Sequence, residues 1–331
     1  MSRSLLLEKP GSWRIVTTDL RDPGPGEVLV RVEAAGVCRT DRDLFEGGAG
    51  VDPRAYPLVP GHEWSGTVLH TGPGVDRGLV GAAVTGEVLR NCQVCDRCRE
   101  GDTNLCTGAG GEFGFTEPGA FADRLVVPAR LLHRIAPDAD LAAAALLHPA
   151  AHAAAAVLRA GVRPGDRVAV VGAGTVGVLA VRLLAACSPA RLVAVDPRES
   201  RTGPAVAAGA AALVPPGAAG EEFDVVIEAA GGPATAHEAM LLTRRGGTLV
   251  LAGHPTGPGT PLAPGDLVAR QLTVHAVAGA NSAAWAHAVR AYNAGLLDLR
   301  ALVTHELPLE EYGEAMRLLA DPATGKILLR P

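Results

Sequence analysis

Four cysteines lie within fifteen residues of one another and form the densest group of metal-binding side chains in the sequence. Their spacing is Cys92-x2-Cys95-x2-Cys98-x7-Cys106. Four thiolates in one compact loop can complete a tetrahedral zinc shell, which leaves no coordination position for water or a substrate. A chain of 331 residues does not need disulfides to hold it together, and free or redox-active cysteines rarely occur as a set of four. The spacing therefore predicts a structural zinc ion.

A glycine-rich turn follows the apolar run Val168–Val171, and Gly172, Gly174 and Gly177 give it the pattern G-x-G-x-x-G. The first glycine permits a tight turn, the second lets the backbone approach a pyrophosphate, and the third lets a helix pack closely on the strand. Asp196 follows Gly177 by 19 residues, at the end of the next apolar run. A carboxylate there can accept hydrogen bonds from the adenosine ribose. A merely structural glycine turn would not explain this acid, so the pattern predicts a dinucleotide site.

The residues around this turn also predict which dinucleotide binds. The carboxylate of Asp196 repels the 2′-phosphate of NADP, which favours NAD(H). Arg198 lies two residues further on and could pair with that phosphate, so use of NADP(H) is the alternative. Thr175 and Val176, which open the predicted helix, and Arg201 complete the predicted cofactor-binding residues.

These groups must be positioned by two kinds of structure. Residues 1 to about 150 contain short apolar runs, such as Glu27–Val32 and Ala120–Val127, bounded by Gly, Pro and Asp, which is typical of short strands. From about residue 160, β-branched runs alternate with Ala-rich helical stretches, which predicts βαβ units and a doubly wound parallel sheet. The predicted strands of this α/β region are Val168–Val171, Leu192–Val195, Val225–Ile227, Thr248–Leu251 and Leu272–Val277. The chain should end in helix, loop, helix and a last strand, Lys326–Leu329.

Composition excludes several classes of protein. The length of 331 residues predicts two domains, and a formal net charge of −5 leaves no basic surface for nucleic acid. His148, Pro149 and His152 interrupt the apolar stretch 141–158, and Arg182 interrupts 168–186, so neither is expected to cross a membrane. No secretory signal is visible at the start of the sequence, which predicts a cytoplasmic protein.

One Cys in a loop and one His beside a Glu are ordinary when taken alone. Together with the motifs above, however, they make the chain resemble the zinc-dependent alcohol dehydrogenases of the medium-chain dehydrogenase/reductase superfamily, and most of all the polyol and threonine dehydrogenases. The segments that carry the resemblance are VCRTD (37–41), PGHEWSG (60–66), the four-cysteine loop, PGDRVAVVGAGTVG (164–177) and KILL (326–329).

The resemblance implies a GroES-like catalytic domain and a Rossmann domain, with the active site in the cleft between them. The expected catalytic domain covers residues 1–155 and carries the structural-zinc lobe at about 90–108. The Rossmann domain would cover 156–284, and residues 285–331 would return to the catalytic domain.

The resemblance also implies roles for single residues. Cys38 and His62 would bind a catalytic zinc ion, and Asp41 would hold the His62 imidazole in place. Thr40 would contact the substrate oxygen and begin a proton relay. Members of the family usually have a His beyond this Thr, whereas here Asp43 is the nearest titratable residue. Arg39 would reach the cofactor pyrophosphate, and Glu63 would be an intermittent or direct zinc ligand.

The segment LLHPAA (146–151) leaves two candidates for the third ligand of the catalytic zinc. Polyol-type relatives usually have Glu-Pro here and other relatives have Cys, whereas this chain has His148 before Pro149. Neutral imidazole is also a good zinc ligand. The alternatives are that Glu63 is the third ligand and that His148 only caps the following helix. His152 lies one turn later and is a candidate for the substrate pocket.

The resemblance thus implies an enzyme with NAD(H) and two Zn²⁺ per chain that transfers a hydride between a secondary alcohol and the nicotinamide. The small-molecule alcohol or ketone would be a polyol, cyclitol or amino-alcohol. The enzyme would be a homodimer or homotetramer that pairs through the strand at 272–277. An NADPH-dependent carbonyl reductase and a non-catalytic zinc- and nucleotide-binding protein are the alternatives. The residues expected to line its pocket are Thr40, Phe45, Trp64, Glu112, Phe113 and His152.

Overall fold

The structure is a computed structural model that describes residues 1–48, 56–108, 110–255, 257, 259–321 and 323–331. The chain divides into two compact units. The first comprises Met1–His148 and Asp298–Pro331, and the second comprises Pro149–Leu297. The chain therefore leaves the first unit, builds the second and then returns.

The helices and strands follow one another along the chain in short segments. In order they are β1 (Ser2–Lys9), β2 (Ser12–Thr18), β3 (Glu27–Val37), α1 (Arg39–Glu46), β4 (Glu63–Thr71), β5 (Ala83–Gly86), α2 (Asp96–Arg99), β6 (Arg124–Pro128), β7 (Leu132–Arg134), α3 (Leu147–Ala160), β8 (Arg167–Val171), α4 (Thr175–Ala185), β9 (Arg191–Val195), α5 (Thr202–Ala207), β10 (Ala212–Val214), β11 (Phe223–Glu228), α6 (Thr235–Leu242), β12 (Thr243–Leu251), α7 (Pro264–Arg270), β13 (Thr273–Ala276), α8 (Ser282–Asn293), β14 (Val303–Pro308), α9 (Tyr312–Leu318) and β15 (Lys326–Arg330).

The main sheet of the first unit has the strand order β14-β15-β3-β4-β5-β7, and β6 also pairs with β3. β3 is its central strand, and apolar side chains such as Val28, Val30 and Val32 are buried in a core that also contains Phe121 and Ile327. Burial of this apolar surface is the main favourable contribution to the stability of the unit.

Three strand ends of this sheet meet where the candidate ligands lie. β3 ends immediately before Cys38, β4 begins immediately after His62, and β15 begins at Lys326. The antiparallel register pairs Gly36 with Glu63, and it pairs Val37 with the second residue of β15. Residues far apart in sequence are therefore brought together at the ends of three neighbouring strands.

The second unit contains a six-stranded sheet in the order β10-β9-β8-β11-β12-β13. Its neighbouring strands all pair in parallel. This is the strand order of a dinucleotide-binding doubly wound sheet, with the order reversing between β8 and β11. The predicted parallel sheet is thus confirmed. The strands that were not predicted include Ala212–Val214 in this sheet and Val303–Pro308 in the first unit.

Among the described residues, none of the helices combines the length and the apolar character needed to cross a bilayer.

Candidate functional site

The thiol of Cys38 is fixed by the start of helix α1. Cys38 is the N-cap residue, and its backbone N–H donates to Oδ2 of Asp41 at 2.9 Å, so that a capping box closes the first turn. Asp41 is fully buried. The sequence Cys-Arg-Thr-Asp therefore holds a thiol and a carboxylate at one helix end, at a fixed separation.

His62 lies directly against this thiol. Its Nε2 is 3.3 Å from Sγ of Cys38, and its Nδ1 is 3.7 Å from Oδ1 of Asp41. Within the described part of the chain, neither His62 Nδ1 nor Asp41 Oδ1 has a hydrogen-bond partner, although both atoms are buried. A metal on Nε2 would leave a proton on Nδ1 directed at Asp41, which is how metal-binding imidazoles are usually held. The ring of Phe115 packs on the imidazole, with centroids 4.9 Å apart.

Glu63 forms a buried ion pair with Lys326. The Lys326 Nζ lies 2.8 Å from Oε1 and 2.6 Å from Oε2 of Glu63, and it also donates to the carbonyl of Val37 at 3.1 Å. Burial opposes ionisation of Glu63, but Lys326 and His148 lower its pKa to about 2. Burial likewise opposes the charge on Lys326, but Glu63 and Cys38 raise its pKa. Both groups are therefore charged near neutral pH.

His148 approaches the same cluster from the start of α3. Its ring is 4.9 Å from that of His62 in an edge-on arrangement, and its Nδ1 is 3.9 Å from Oε1 of Glu63. Burial lowers the pKa of His148, although Glu63 acts in the opposite direction. The lowered pKa favours the neutral imidazole that a metal needs. The donor atoms of His62, Glu63 and His148 all lie within 4.8 Å of one another, and those of Cys38, Asp41 and His62 form a second such group.

The charges of this cluster fit a divalent cation. Burial, together with Asp41 and Glu63, raises the pKa of the Cys38 thiol well above its usual value. A Cys38 thiolate with these two carboxylates would give three negative charges against one positive charge on Lys326. A divalent cation balances that difference and makes the thiolate favourable. Thiolate and imidazole are the donors that zinc prefers.

The second candidate metal site is the four-cysteine loop. The sulfur atoms of Cys92, Cys95, Cys98 and Cys106 lie within 4.8 Å of one another. Backbone amides lower the pKa of Cys95 to about 5, whereas burial raises that of Cys98 to about 12. A thiolate at Cys98 would therefore need a cation close by, and the donor set is that of a closed structural zinc shell.

The predicted dinucleotide turn lies between β8 and α4. Gly172 has a φ of 96°, a left-handed conformation that favours glycine, and a Cβ at Gly177 would lie 1.7 Å from the Gly172 carbonyl oxygen. Gly174 is the N-cap of α4, and Thr175 and Val176 form its first turn. Glycine is thus needed at Gly172 and Gly177, whereas a Cβ at Gly174 would meet no described heavy atom within 4 Å. The backbone amides at the helix start can receive a phosphate.

Asp196 ends β9 and is 3% exposed. Its Oδ2 accepts from Ala173 N at 2.9 Å, and the Arg198 guanidinium donates to Oδ1 at 2.8 Å and to Oδ2 at 2.7 Å. Burial opposes ionisation, but the hydrogen bonds from Arg198 and Ala173 lower the Asp196 pKa. Burial and the nearby Arg198 lower the pKa of Arg201. One carboxylate and two guanidinium groups thus share this strand end.

Helix α1 carries further predicted residues on its exposed side. Arg39 and Thr40 are exposed, and the Arg39 Nε lies 3.9 Å from Oδ2 of Asp43. A cavity of about 410 Å³ is lined by Arg39, Arg42, Asp43, Glu46 and Leu319.

The predicted pocket residues do not share one environment. Trp64 and Phe113 are each 2% exposed and belong to the apolar core of the first unit. Phe45 is partly buried against Tyr312, with ring centroids 5.8 Å apart. Glu112 is exposed, and His152 contacts the Ala252 carbonyl through Nε2 at 2.9 Å in the second unit.

Two residues of the cluster, Lys326 and Phe115, were not identified from the sequence. Lys326 was part of the KILL segment, and a lysine that opens an apolar strand was the available signal for a buried charge. Phe115 had no signal, because an aromatic residue in a loop is not distinctive.

Comparison with known proteins agrees with this geometry. The family model of the alcohol dehydrogenase GroES-like domain matches residues 24–137, and that of the zinc-binding dehydrogenases matches 175–294. An L-threonine 3-dehydrogenase from Bacillus velezensis is 30% identical over 318 residues, covering 92% of this chain and 91% of that protein. The chain belongs to the zinc-dependent alcohol dehydrogenases of the medium-chain dehydrogenase/reductase superfamily. The predicted family and the predicted GroES-like and Rossmann folds are thereby confirmed.

Solved structures of dehydrogenases superpose on the whole chain. A zinc-binding dehydrogenase from Sinorhizobium meliloti 1021, bound to NADP, has a TM-score of 0.89 and 28% identity, with 100% of this chain and 99% of that chain covered. An alcohol dehydrogenase from E. coli CFT073, in complex with NADH, has a TM-score of 0.92 and 25% identity over the same shares. Similar chains thus bind either dinucleotide.

Proposed function

We propose that this dehydrogenase oxidises a small secondary alcohol with NAD and a catalytic zinc ion, and that a second zinc ion holds the four-cysteine loop. The observation that carries the proposal is the cluster of Cys38, His62, Glu63 and His148, in which His62 and Glu63 are buried and a thiol and an imidazole lie 3.3 Å apart. Its excess of negative charge would be balanced by one divalent cation.

The ion pair of Glu63 supports His148 as the third zinc ligand. Both oxygens of Glu63 lie within 2.8 Å of the Lys326 Nζ, so that Glu63 could bind a metal only by weakening a buried ion pair. The donor atom of His148 lies within 4.8 Å of those of His62 and Glu63, and its lowered pKa favours the neutral, ligating form. We therefore assign Cys38, His62 and His148 to the catalytic zinc, with Glu63 beside it.

A zinc ion in this position would supply Lewis-acid chemistry, which makes an alcohol much easier to deprotonate. The other tasks fall to the protein. Asp41 would keep the His62 imidazole oriented. Thr40, on the exposed first turn of α1, would accept the alcohol proton and pass it to solvent, either directly or through Asp43. The glycine turn at 172–177 would hold the dinucleotide so that the nicotinamide can receive the hydride.

The preference for NAD would depend on Asp196. Its carboxylate lies at the end of β9, where it can bind ribose hydroxyls and disfavours a 2′-phosphate. The bidentate contact with Arg198 reduces this discrimination, because the guanidinium cancels part of the charge. The same contact is the one observation that favours a second candidate, a carbonyl reductase that uses NADPH.

The substrate class is proposed from the relatives and from the donor set. A related chain is an L-threonine 3-dehydrogenase, whose substrate is an amino-alcohol. We therefore expect an amino-alcohol, polyol or cyclitol with a secondary hydroxyl. Six unpaired thiols fit a reducing compartment such as the cytoplasm. The edge strand β13 would pair across a two-fold axis in a homodimer or homotetramer.

A substrate panel tests the proposal. The zinc-loaded protein is mixed with NAD or NADP and with amino-alcohols, polyols, cyclitols and simple alcohols, and the nicotinamide absorbance is followed. We expect reduction of NAD with a secondary alcohol, and no reduction by the Cys38→Ser variant. If no alcohol or ketone supports hydride transfer while both zinc ions are bound, the chain is a non-catalytic zinc- and nucleotide-binding protein.

A further inference from the structure

A buried Glu side chain lies where the central strands of the parallel sheet have their C-terminal ends. Glu228 is the last residue of β11 and is 3% exposed. β11 lies between β8 and β12, and the strand order reverses between β8 and β11. Ligands of doubly wound sheets bind outside the carboxyl ends of the strands at this reversal. Glu228 therefore lies under the crevice that is expected to receive the dinucleotide.

This carboxylate holds the turn that follows β11. Its Oε1 accepts hydrogen bonds from the backbone N–H of Ala230 at 2.8 Å, from that of Gly231 at 2.7 Å, and from the hydroxyl of Thr235 at 2.8 Å. Thr235 also donates to the Gly232 carbonyl at 2.9 Å and begins α6. One oxygen thus fixes both the turn and the start of the next helix.

The turn is packed against both of its neighbours. A Cβ at Gly172 would lie 2.7 Å from the Cβ of Ala230, so the turn after β11 touches the first glycine of the dinucleotide pattern. A Cβ at Gly253, just after β12, would lie 2.6 Å from Oε2 of Glu228. The two oxygens of Glu228 are therefore enclosed by closely packed backbone, and a shift of this side chain would move the dinucleotide turn.

Among the described residues, the buried carboxylate of Glu228 is held by neutral groups. Its side-chain hydrogen-bond partners among the described residues are two backbone amides and one hydroxyl, and no Lys, Arg or His of that part of the chain forms an ion pair with it. An unpaired buried carboxylate is costly, and a positive charge nearby stabilises it. The oxidised nicotinamide ring carries a positive charge that reduction removes.

We infer that Glu228 is a positioning residue of the dinucleotide crevice. Its negative charge increases the affinity of the protein for the oxidised dinucleotide relative to its affinity for the reduced one. The inference rests on the proposed function, because it needs a nicotinamide cofactor in this crevice. It implies that a residue outside both groups of metal-binding side chains shifts the equilibrium between the two bound dinucleotides toward the oxidised form.

The test compares the Kd values for NAD⁺ and NADH, measured by calorimetry on the zinc-loaded protein. Glu228→Gln keeps an oxygen that can accept the three hydrogen bonds but removes the charge. Opposite charges within about 10 Å, at an effective dielectric of about 20, change binding by roughly tenfold, so we expect NAD⁺ to lose about three- to tenfold in affinity relative to NADH.

Asp224→Asn is the matched control, because it removes one charge from the amino end of the same strand. Asp224 there pairs with Arg244 at 2.5 Å and accepts from Arg167 N at 2.8 Å. The ratio of the two Kd values should stay at the wild-type level. A ratio that changes as much in Asp224→Asn as in Glu228→Gln would overturn the inference.

A second variant keeps the test decisive if Glu228→Gln does not fold. Thr235 is partly exposed, so Thr235→Lys would place an ammonium beside Oε1 and cancel the charge without removing the carboxylate. It should shift the ratio in the same direction as Glu228→Gln. An unchanged ratio in the folded variants would refute this inference alone, whereas a wild-type protein that binds no nicotinamide dinucleotide would refute the proposed function.

Discussion

Replacement of Lys326 by Met would remove the ion-pair partner of the buried Glu63 carboxylate. Glu63 and Lys326 have side chains that are 3% and 7% exposed, and their charged atoms are 2.6 Å apart. Removing one partner leaves the Glu63 carboxylate uncompensated inside the protein. Breaking such a buried pair costs about 3–5 kcal/mol. For a unit of this size, that corresponds to a fall in Tm of roughly 6–20 °C.

Differential scanning calorimetry of the zinc-loaded protein measures this loss. Arg330→Met is the matched control on the same strand, because it breaks an ion pair of Arg330 with Glu33 at 2.6 Å whose side chains are 36% and 32% exposed. An exposed pair contributes at most about 1 kcal/mol. The double variant Lys326→Met/Glu63→Gln contains neither charge and should recover at least half of the loss. If Lys326→Met lowers the Tm no more than Arg330→Met does, or if the double variant is no more stable than Lys326→Met, the buried ion pair does not stabilise the protein as proposed.

Three further predictions concern the other sites. Cys95→Ser should remove one of two zinc ions and lower the Tm, because a structural zinc shell contributes directly to folding. Metal analysis with calorimetry checks this prediction, and an equally stable variant would contradict it. Asp196→Ala should reduce the preference for NAD over NADP by about tenfold. Arg198→Ala should increase that preference by a similar factor, because it removes a cation and leaves the Asp196 carboxylate uncompensated. An unmodified enzyme that prefers NADP would contradict the proposed role of Asp196. Light scattering at micromolar concentration should show a dimer or tetramer, and Val274→Lys on the edge strand β13 should give monomers; a wild-type monomer would rule the interface out.

The parts of this protein that were predictable are those fixed by local spacing. Metal and phosphate chemistry require particular residue types at short intervals, so Cys92 to Cys106 and Gly172 to Gly177 could be identified directly. The central parallel strands were likewise visible as continuous apolar runs, because both of their faces are covered. The missed strands Ala212–Val214 and Val303–Pro308 lie at the edges of their sheets, where partial exposure weakens the apolar pattern.

The parts that were missed depend on contacts between distant segments. The ion pair of Glu63 with Lys326 joins residues 263 positions apart, and only the pairing of β3 with both β4 and β15 brings them together. The family resemblance placed Trp64 in the substrate pocket. Successive residues of a strand point to opposite faces, so that Trp64 enters the core when Glu63 faces the cluster.

The zinc content and turnover of His148→Ala, measured on one preparation beside the wild type, test the central claim most directly. A catalytic zinc site normally has three protein ligands and one exchangeable position. If Cys38, His62 and His148 are those ligands, the wild type should contain two zinc ions per chain, and the variant should keep only the structural ion and lose hydride transfer. A variant that retains both ions and near-normal turnover would show that Glu63 is the third ligand and that His148 only begins the helix.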